Sequence, residues 1–488
     1  MSEEICFLTA AEQRAAFIRG DIAPSEVLQA QLERIHTFDP GPEGIGAITE
    51  VLEKTALEQA HHADERYARA RVRDEQLPAL LGITVATKEK HGIAGLSLSQ
   101  GLLAHQHVVA TENHPIVDRL QAAGAIIHAR TTSPEFSCAT VTHSPMWGVT
   151  RNPFNRAKSP GGSSGGSAAA LAAGFTTLAT ASDIAGSTRI PAAFTGTVGY
   201  KAPYGRVPGA GYLAADWYRG DGPLARTVAD TALLTSIMAG AHRADVNSWG
   251  AHGEDPLSEN LPPLTGIRFG LSIQLGDYPV AEPVVRAMNT VVARLRAAGA
   301  EVQEVELPWT TVQIRETYLA HFGQILAPAM QQLLQHSAEE QATYTKKFIH
   351  RALQAAETHS LIDSLQLDNR INAELNRATE KIDILLCPTN AMSWLEAEGD
   401  YLDGITLRGR HLEHYWEGHM TSPFNICNQR AVMNIPIGIG EAGIPIGMQI
   451  VGQPREERKV FAAAQHLEEL LGFDSRATDL PQPQMSHR

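Results

Sequence analysis

Two serines and one lysine are the residues whose types and spacing could do chemistry in this chain. The first serine lies in Ser159-Pro-Gly-Gly-Ser-Ser-Gly-Gly-Ser-Ala-Ala-Ala-Leu-Ala-Ala-Gly174, where four glycines surround Ser163 and Ser164. Glycine permits tight backbone approach and positive φ. A phosphate-binding loop would need a lysine after these glycines, and none follows. Gly162-Ser-Ser-Gly-Gly166 matches the GxSxG nucleophile elbow in form, but that elbow follows a buried strand and the preceding Asn155–Pro160 is polar. A flexible Gly/Ser loop would account for this stretch alone. It leaves unexplained a second segment, Ala181-Ser-Asp-Ile-Ala-Gly-Ser-Thr-Arg-Ile-Pro-Ala-Ala193. There Asp183-Ile-Ala-Gly186 sets successive backbone N–H groups just ahead of Ser187, and a turn at that point can form a nest of donors for a developing oxyanion. Ser187, 24 residues after Ser163, would be placed to attack a carbonyl held in that nest.

A serine nucleophile needs a base. His91 and His143 are the histidine candidates, although neither stands in a Ser…Asp…His order, and a lone histidine is more often a structural hydrogen-bonder. The other candidate is Lys88 in Gly82-Ile-Thr-Val-Ala-Thr-Lys-Glu-Lys-His-Gly-Ile-Ala-Gly95. Strand alternation carries Val85 and Thr87 to one face and Ala86 and Lys88 to the other, so Lys88 can point where a core residue would lie. An ordinary surface lysine is the competing reading, because charges are seldom buried. Free lysine titrates near ~10.4; desolvation can lower that by up to ~3–5 units, enough to make a base.

The elements that must position these groups alternate in type. Residues 1–75 read as helices, with Thr9-Ala-Ala-Glu12 as a capping box, Ser25 after Pro24 as an N-cap, and an apolar stripe of Val27, Leu28, Leu32 and Ile35. From Leu80 short apolar runs alternate with glycine turns. Strands are expected at 81–87 and 125–129, joined by a helix at 115–124 that ends on glycine. Later strands are expected at 267–273, 382–387 and 446–451. This order points to an α/β core. The stretch 148–226, rich in Gly, Ser, Ala and Pro, has the composition of surface loops yet is too long and patterned to be a linker. Residues 310–380 read as mainly helical and polar, a place for a pocket-lining or lid insertion. No repeat is present, and only the last ten residues read as a disordered tail.

Lys and Arg total 40 against 54 Asp and Glu, a formal charge of −14, which argues against a polyanionic partner such as nucleic acid. The N-terminus lacks a secretory pattern and no apolar run reaches the ~20 residues of a membrane span. Cys6, Cys138, Cys387 and Cys427 are far apart, as expected of buried thiols in a reducing compartment, so a cytoplasmic location is expected. The 20 histidines show no HExxH or Cys/His ligand spacing, and no metal site is expected.

In order and spacing, Lys88, Ser163 and Ser187 resemble the Ser–Ser–Lys triad of the amidase signature family. The resemblance extends over nearly the whole chain. It includes Ser133-Pro-Glu-Phe136, Gly148-Val-Thr-Arg-Asn-Pro-Phe-Asn155, Gly199-Tyr-Lys-Ala-Pro-Tyr-Gly-Arg-Val207, Gly222-Pro-Leu-Ala-Arg226, Pro423-Phe-Asn425, Asn434-Ile-Pro436 and Gly443-Ile-Pro-Ile-Gly-Met-Gln449. It implies an α/β fold, a single large α/β/α domain over 1–488 with a central, mostly mixed sheet flanked by helices and a signature core at 80–226. It further implies that Ser187 attacks, that Ser163 relays the proton to neutral Lys88 and returns it to the leaving amine, and that the N–H groups of Ile184, Ala185, Gly186 and Ser187 hold the oxyanion. Ser137 and Cys138 match the segment bordering the acyl pocket. No cofactor is implied.

Three departures stand out. Ala185 replaces the usual second glycine before the nucleophile; Glu89-Lys90 replaces Asp-Asn, with Lys90 expected to face solvent; and Asn428 and Arg430 replace Gly and Pro in a segment that nears the site in the family. Asp183, Arg189 and Ser164 are expected to be structural, the acid and arginine pairing to fix the turn. Trp217, Tyr218, Tyr318 and Phe322 are expected mainly in the core, with an aromatic substrate site as the alternative. The resulting expectation is an amidohydrolase acting on a small, fairly apolar carboxamide, anilide or carbamate, without a nucleic-acid or membrane partner and compatible with a homodimer. The alternatives are the catalytic subunit of a glutamine-dependent tRNA amidotransferase and a non-catalytic binding scaffold.

Overall fold

Short apolar runs bounded by glycine are suited to strands buried on both faces, and in this protein they join in one sheet. The computed structural model describes residues 2–73, 75–257, 261–334, 341–399, 401–477 and 480. The tail expected at the C-terminus lies outside the described residues except for Leu480. Eleven strands form the sheet: β1 (Ile48–Val51), β2 (Thr84–Lys88), β3 (Ile126–Thr131), β4 (Leu178–Asp183), β5 (Val198–Lys201), β6 (Gly220–Ala225), β7 (Arg268–Leu271), β8 (Glu301–Glu304), β9 (Ile384–Pro388), β10 (Arg430–Ile439) and β11 (Pro445–Pro454). Their spatial order is β1-β3-β2-β4-β6-β5-β10-β11-β9-β7-β8. Parallel pairing joins β3, β2 and β4, and also β9, β7 and β8; the remaining neighbours are antiparallel. The sheet is mixed, as expected, and helices cover both faces.

The two faces differ in side-chain size. Val85, Leu178, Val198 and Tyr200 join the large core under the helices Val228–Met238 and Glu457–Leu471. On the opposite face Ala179 and Ala181 pack against Ala168, Leu171 and Ala192, and Ala86 packs near Ala169 and Ala170. Alanine on both sides lets the helices Gly165–Ala172 and Arg189–Thr195 lie close to the sheet. Gly166 shows how close: a Cβ there would stand 2.3 Å from Thr132 Oγ1 and 2.6 Å from its backbone nitrogen. The stretch 148–226, with its surface-loop composition, is therefore largely interior. Its small residues serve close packing.

Local expectations fare unevenly: residues 1–75, read as helices, also contain β1 (Ile48–Val51), which pairs antiparallel with β3 at the sheet edge. The Thr9–Glu12 capping box is present. Ser25 is not an N-cap; the helix starts at Pro24 with Ala23 as its cap, because proline's fixed φ suits the first helical position. Strand β2 begins at Thr84 and not at Leu81, after Gly82 at φ +76° turns the chain into the sheet. The region 310–380 is helical over its described part, as Thr311–Gln324, Leu326–Leu333, Thr343–Thr358 and Leu361–Ala378, with 335–340 outside the described residues. It is less polar inside than its composition implies, since Tyr318, Phe322 and Phe348 are buried. No helix among the described residues is long and apolar enough to cross a membrane.

Candidate active site

Strands β2 and β4 are adjacent and parallel, so Lys88 and Asp183 close the same end of the sheet, where the glycine-rich loop also arrives. The crevice at the carboxyl ends of parallel strands is where α/β sheets commonly bind ligands. Lys88 is fully buried. Its Nζ lies 2.7 Å from Ser163 Oγ and 3.0 Å from both Ser164 Oγ and Ser182 Oγ, and its backbone N–H donates to Thr180 Oγ1. Burial pushes its pKa well below the ordinary lysine range, and the nearby Lys90 and Arg219 cations push the same way against Asp221 and Asp183. Three hydroxyls suit a neutral amine, which can donate to two of them and accept from the third. Such an amine can take a proton from the Ser163 hydroxyl.

Ser187 follows β4 and is 6% exposed. Its carbonyl accepts from the Ser164 N–H at 3.2 Å, which ties the two serine segments together. Ser163, Ser182 and Ser187 line one small cavity. The turn before Ser187 is fixed by Asp183, which accepts from the N–H groups of Gly186 at 2.7 Å and Thr188 at 3.2 Å, from Arg189 Nε and Nη2, and from Asn425. Burial alone would raise the Asp183 pKa, but the Arg189 guanidinium holds it at about 2. Arg189 also donates to the Thr421 carbonyl, Gln449 and Asn425. The pair fixes the turn, as anticipated for these two residues.

Gly186 has φ +120°, and a Cβ on it would fall 2.0 Å from Thr421 Oγ1. Ala185 does not take positive φ, so alanine fits without strain. Since the Gly186 amide is engaged by Asp183, the N–H groups of the turn differ in availability. Those of Ile184, Ala185 and Ser187 donate to no acceptor among the described residues.

A second, mainly apolar cavity meets the first at Ser187. Ser137, Cys138 and Thr140 form one wall, and Tyr318, Phe322, Phe348 and Trp416 the other. Ser137 and the preceding Phe136 both have positive φ, 58° and 52°, which swings this segment into the cavity. Burial pushes the Cys138 thiol up to about 12, leaving it protonated. Tyr318 and Phe322 thus line a cavity as well as pack, whereas Tyr218 is fully buried and stacks on His321.

The histidine candidates are elsewhere. His91 is buried between Thr180 at 2.8 Å and Asp221 at 3.0 Å, and burial lowers its pKa to about 3. His143 packs edge-on against Tyr344. Neither lines the cavity of Ser187. His91, His114 and Asp221 have the donor types of a metal site and cluster within 4.8 Å. However, the Lys90 ammonium already occupies this carboxylate at 3.3 Å, an arrangement that opposes a second cation. Lys90 is therefore not the solvent-facing residue expected: it is 14% exposed because Asp221, at the start of β6, draws it inward.

Ser182 and Arg219 carry no local sequence signal that marks them as part of the site. Alternation groups Ser182 with Leu178 and Thr180, on the face opposite Ala86. It reaches Lys88 because both stand at the ends of neighbouring strands. Arg219 lies in a segment without periodicity. Asn428 and Arg430 are buried and structural: Asn428 accepts from Lys201 and donates to the carbonyls of Trp217 and Arg219, while Arg430 donates to Gly452, Asn376 and Thr379.

Comparison with known proteins agrees with this architecture. The chain is 29% identical over 492 residues to the A subunit of the glutamyl-tRNA(Gln) amidotransferase of Symbiobacterium thermophilum, covering 94% of this chain and 95% of that one. A bacterial aryl acylamidase of the amidase signature family has the same fold, with a TM-score of 0.86 at 24% identity over 97% of this chain and 98% of the other. The crystal structure of an amidase superposes with a TM-score of 0.83 at 26% identity, over 95% and 100% of the two chains. The amidase family profile matches residues 26–461. This chain belongs to the amidase signature family and is an enzyme of the C–N hydrolase class.

Proposed function

We propose that the protein hydrolyses small, fairly apolar carboxamides, anilides or carbamates through an acyl-enzyme on Ser187. In this reading Ser187 Oγ attacks the carbonyl carbon as its proton passes to Ser163, while the Ser163 proton passes to neutral Lys88. The oxyanion is held by the free N–H groups of Ile184, Ala185 and Ser187, with Gly186 keeping the turn in shape through Asp183. The C–N bond then breaks as Ser163 gives a proton to the leaving amine and recovers one from Lys88. Water adds to the acyl carbon by the same relay, releasing the acid and restoring Ser187.

The observation that carries this reading is the environment of Lys88: fully buried, touching three hydroxyls, two of them, Ser163 and Ser182, on the wall shared with Ser187. Desolvation without a contacting carboxylate favours the neutral amine a base must be. The aromatic wall of the second cavity supports an apolar acyl group. A fluorophosphonate probe followed by mass spectrometry is the direct test. Modification of Ser187, absent in Ser187→Ala together with amide turnover, is expected; modification of another residue would overturn the assignment.

The likeness to one component of a glutamyl-tRNA(Gln) amidotransferase over 94% of the chain favours a second reading, in which this protein is such a component. Co-purification with a second protein and glutaminase activity would select it over a stand-alone amidase.

A further inference from the structure

The cavity holding Ser163 and Ser187 has a charged wall that hydrolysis of a neutral amide does not use. Lys90 and Arg219 both line it, and both also line the larger outer cavity, of about 810 Å³, into which it opens. The carboxylate on the inner wall, Asp183, is committed to Arg189, two backbone N–H groups and Asn425. Lys90 is held by Asp221 through one contact, which leaves two of its three donors for other partners. The guanidinium of Arg219 makes no hydrogen bond or ion pair among the described residues, although its backbone is anchored: its N–H donates to the Asp216 carbonyl and its carbonyl accepts from Asn428. A positioned, unpartnered guanidinium beside a nucleophile is suited to a planar anion, which it can grip with two parallel hydrogen bonds.

The relay decides which half of the substrate meets these cations. Ser163 must face the leaving nitrogen in order to return a proton to it. Ser163 lines the cavity of Lys90 and Arg219 and is not on the wall of the aromatic cavity. The leaving amine therefore occupies the charged side and departs past Arg219, while the acyl group lies among Tyr318, Phe322 and Phe348. We infer that the preferred substrates are amides of an apolar acyl group with an amine that bears a carboxylate, the carboxylate being bound by Arg219 with Lys90 beside it. This rests on the roles proposed above for Ser187 and Ser163.

Two benzoyl amides of matched shape test it, one made with 3-aminobenzoate and one with 3-aminobenzamide. The ratio of their kcat/KM values does not depend on how much of a preparation is folded. In the wild type the ratio is expected to favour the carboxylate by about 10- to 100-fold, the range of one or two charge-assisted hydrogen bonds. It should fall toward one in Arg219→Gln and be partly kept in Arg219→Lys. A wild-type ratio of one or less, or a ratio untouched by Arg219→Gln, overturns the inference. Calorimetric binding of 3-aminobenzoate to Ser187→Ala, with and without Arg219→Gln, separates this inference from the hydrolase reading. Binding weakened about 10-fold or more by Arg219→Gln upholds the anion site even if neither amide is turned over. Equal binding overturns it even if both are.

Discussion

Lys88 Nζ and Ser163 Oγ stand 2.7 Å apart in a site where the other groups touching the lysine are also hydroxyls. A surface lysine would find water or a carboxylate, and either would keep it charged. Lys88→Met keeps the volume and removes the base. Its kcat/KM is expected to fall by ~10²–10⁴, the usual worth of general base catalysis. Its melting temperature should hold or rise, because replacing a buried ionisable group by an apolar one of similar size is often neutral or stabilising. A variant with near-wild-type kcat/KM would remove Lys88 from the mechanism.

The pH profile follows from the same contact. Lys88 acts only when neutral, so activity on a neutral anilide should be lost as pH falls through its folded pKa, which lies well below 10.5. After burial, Lys90 is the charge that does most to hold that pKa down, and Asp221 opposes it. Lys90→Met removes the repelling cation and leaves Asp221 less neutralised. Both changes raise the Lys88 pKa, and the acid limb of kcat/KM should move to higher pH. Movement to lower pH would contradict this account of the site.

Gly186→Ala should be damaging whatever the substrate. The new Cβ would overlap Thr421 Oγ1 at 2.0 Å, and φ +120° is a conformation that alanine rarely adopts. Relief requires the turn to shift, which displaces the N–H groups flanking Ser187. Loss of a single oxyanion donor typically lowers turnover ~10²–10³-fold. A drop of that size in both kcat and the rate of fluorophosphonate labelling is expected. Ala185→Gly, at a position without positive φ, should change kcat by less than about 3-fold.

The Asp183–Arg189 pair is fully inside the protein, and removing one partner strands the other. Arg189→Leu should destabilise the fold by about 3–5 kcal/mol, read from urea unfolding. Arg189→Lys should recover little, since an ammonium cannot match the fork that reaches Asp183, Thr421, Gln449 and Asn425 together. Full recovery with lysine would show that charge alone matters at this position.

What could be read from sequence divides by the range of the forces involved. Alternation along β2 is a local property, so the face that Lys88 shares with Ala86 was legible from Ile83 to Lys88 alone, whereas its burial was not, and a surface lysine stayed the competing reading. Equally legible were the Thr9 cap and the glycine at 124 that ends a helix. Pairings across the chain were not legible in this way. Lys90 looked like a solvated cation because its partner, Asp221, is 131 residues away and arrives only when β6 joins the sheet. Likewise Tyr318, Phe322 and Phe348 have ordinary helical spacing, and nothing local distinguishes a residue packing into the core from one lining a cavity. The interior position of 148–226 was masked by a composition of Gly, Ser and Ala. Such residues occur in surface loops because they are permissive and in tight interiors because they are small.

His91 makes the fold sensitive to acid. Its pKa is lowered from 6.5 to about 3, with Thr180, Asp221, His114 and Lys90 around it. Between those values the unfolded chain binds a proton that the folded chain refuses, so the contribution of this group to stability is complete above pH 6.5 and declines as pH falls toward 3. The slope approaches ~1.4 kcal/mol per pH unit. Asp39 and Asp230, whose carboxyls burial pushes up to about 6, act in the opposite direction over part of this range. The useful quantity is therefore the difference between the wild type and His91→Gln, whose amide nitrogen reaches the Nε2 position facing Asp221 but cannot titrate. Urea unfolding at several pH values should show the wild-type advantage largest at pH 7 and shrinking toward pH 4. Asp221, held well below 3.8 in the fold, begins to lose its own contribution only as pH falls through the unfolded value of 3.8, at the lower edge of the range measured. An advantage independent of pH would mean that the imidazole accepts its proton in place, and that the enclosure of this network is looser than its geometry indicates.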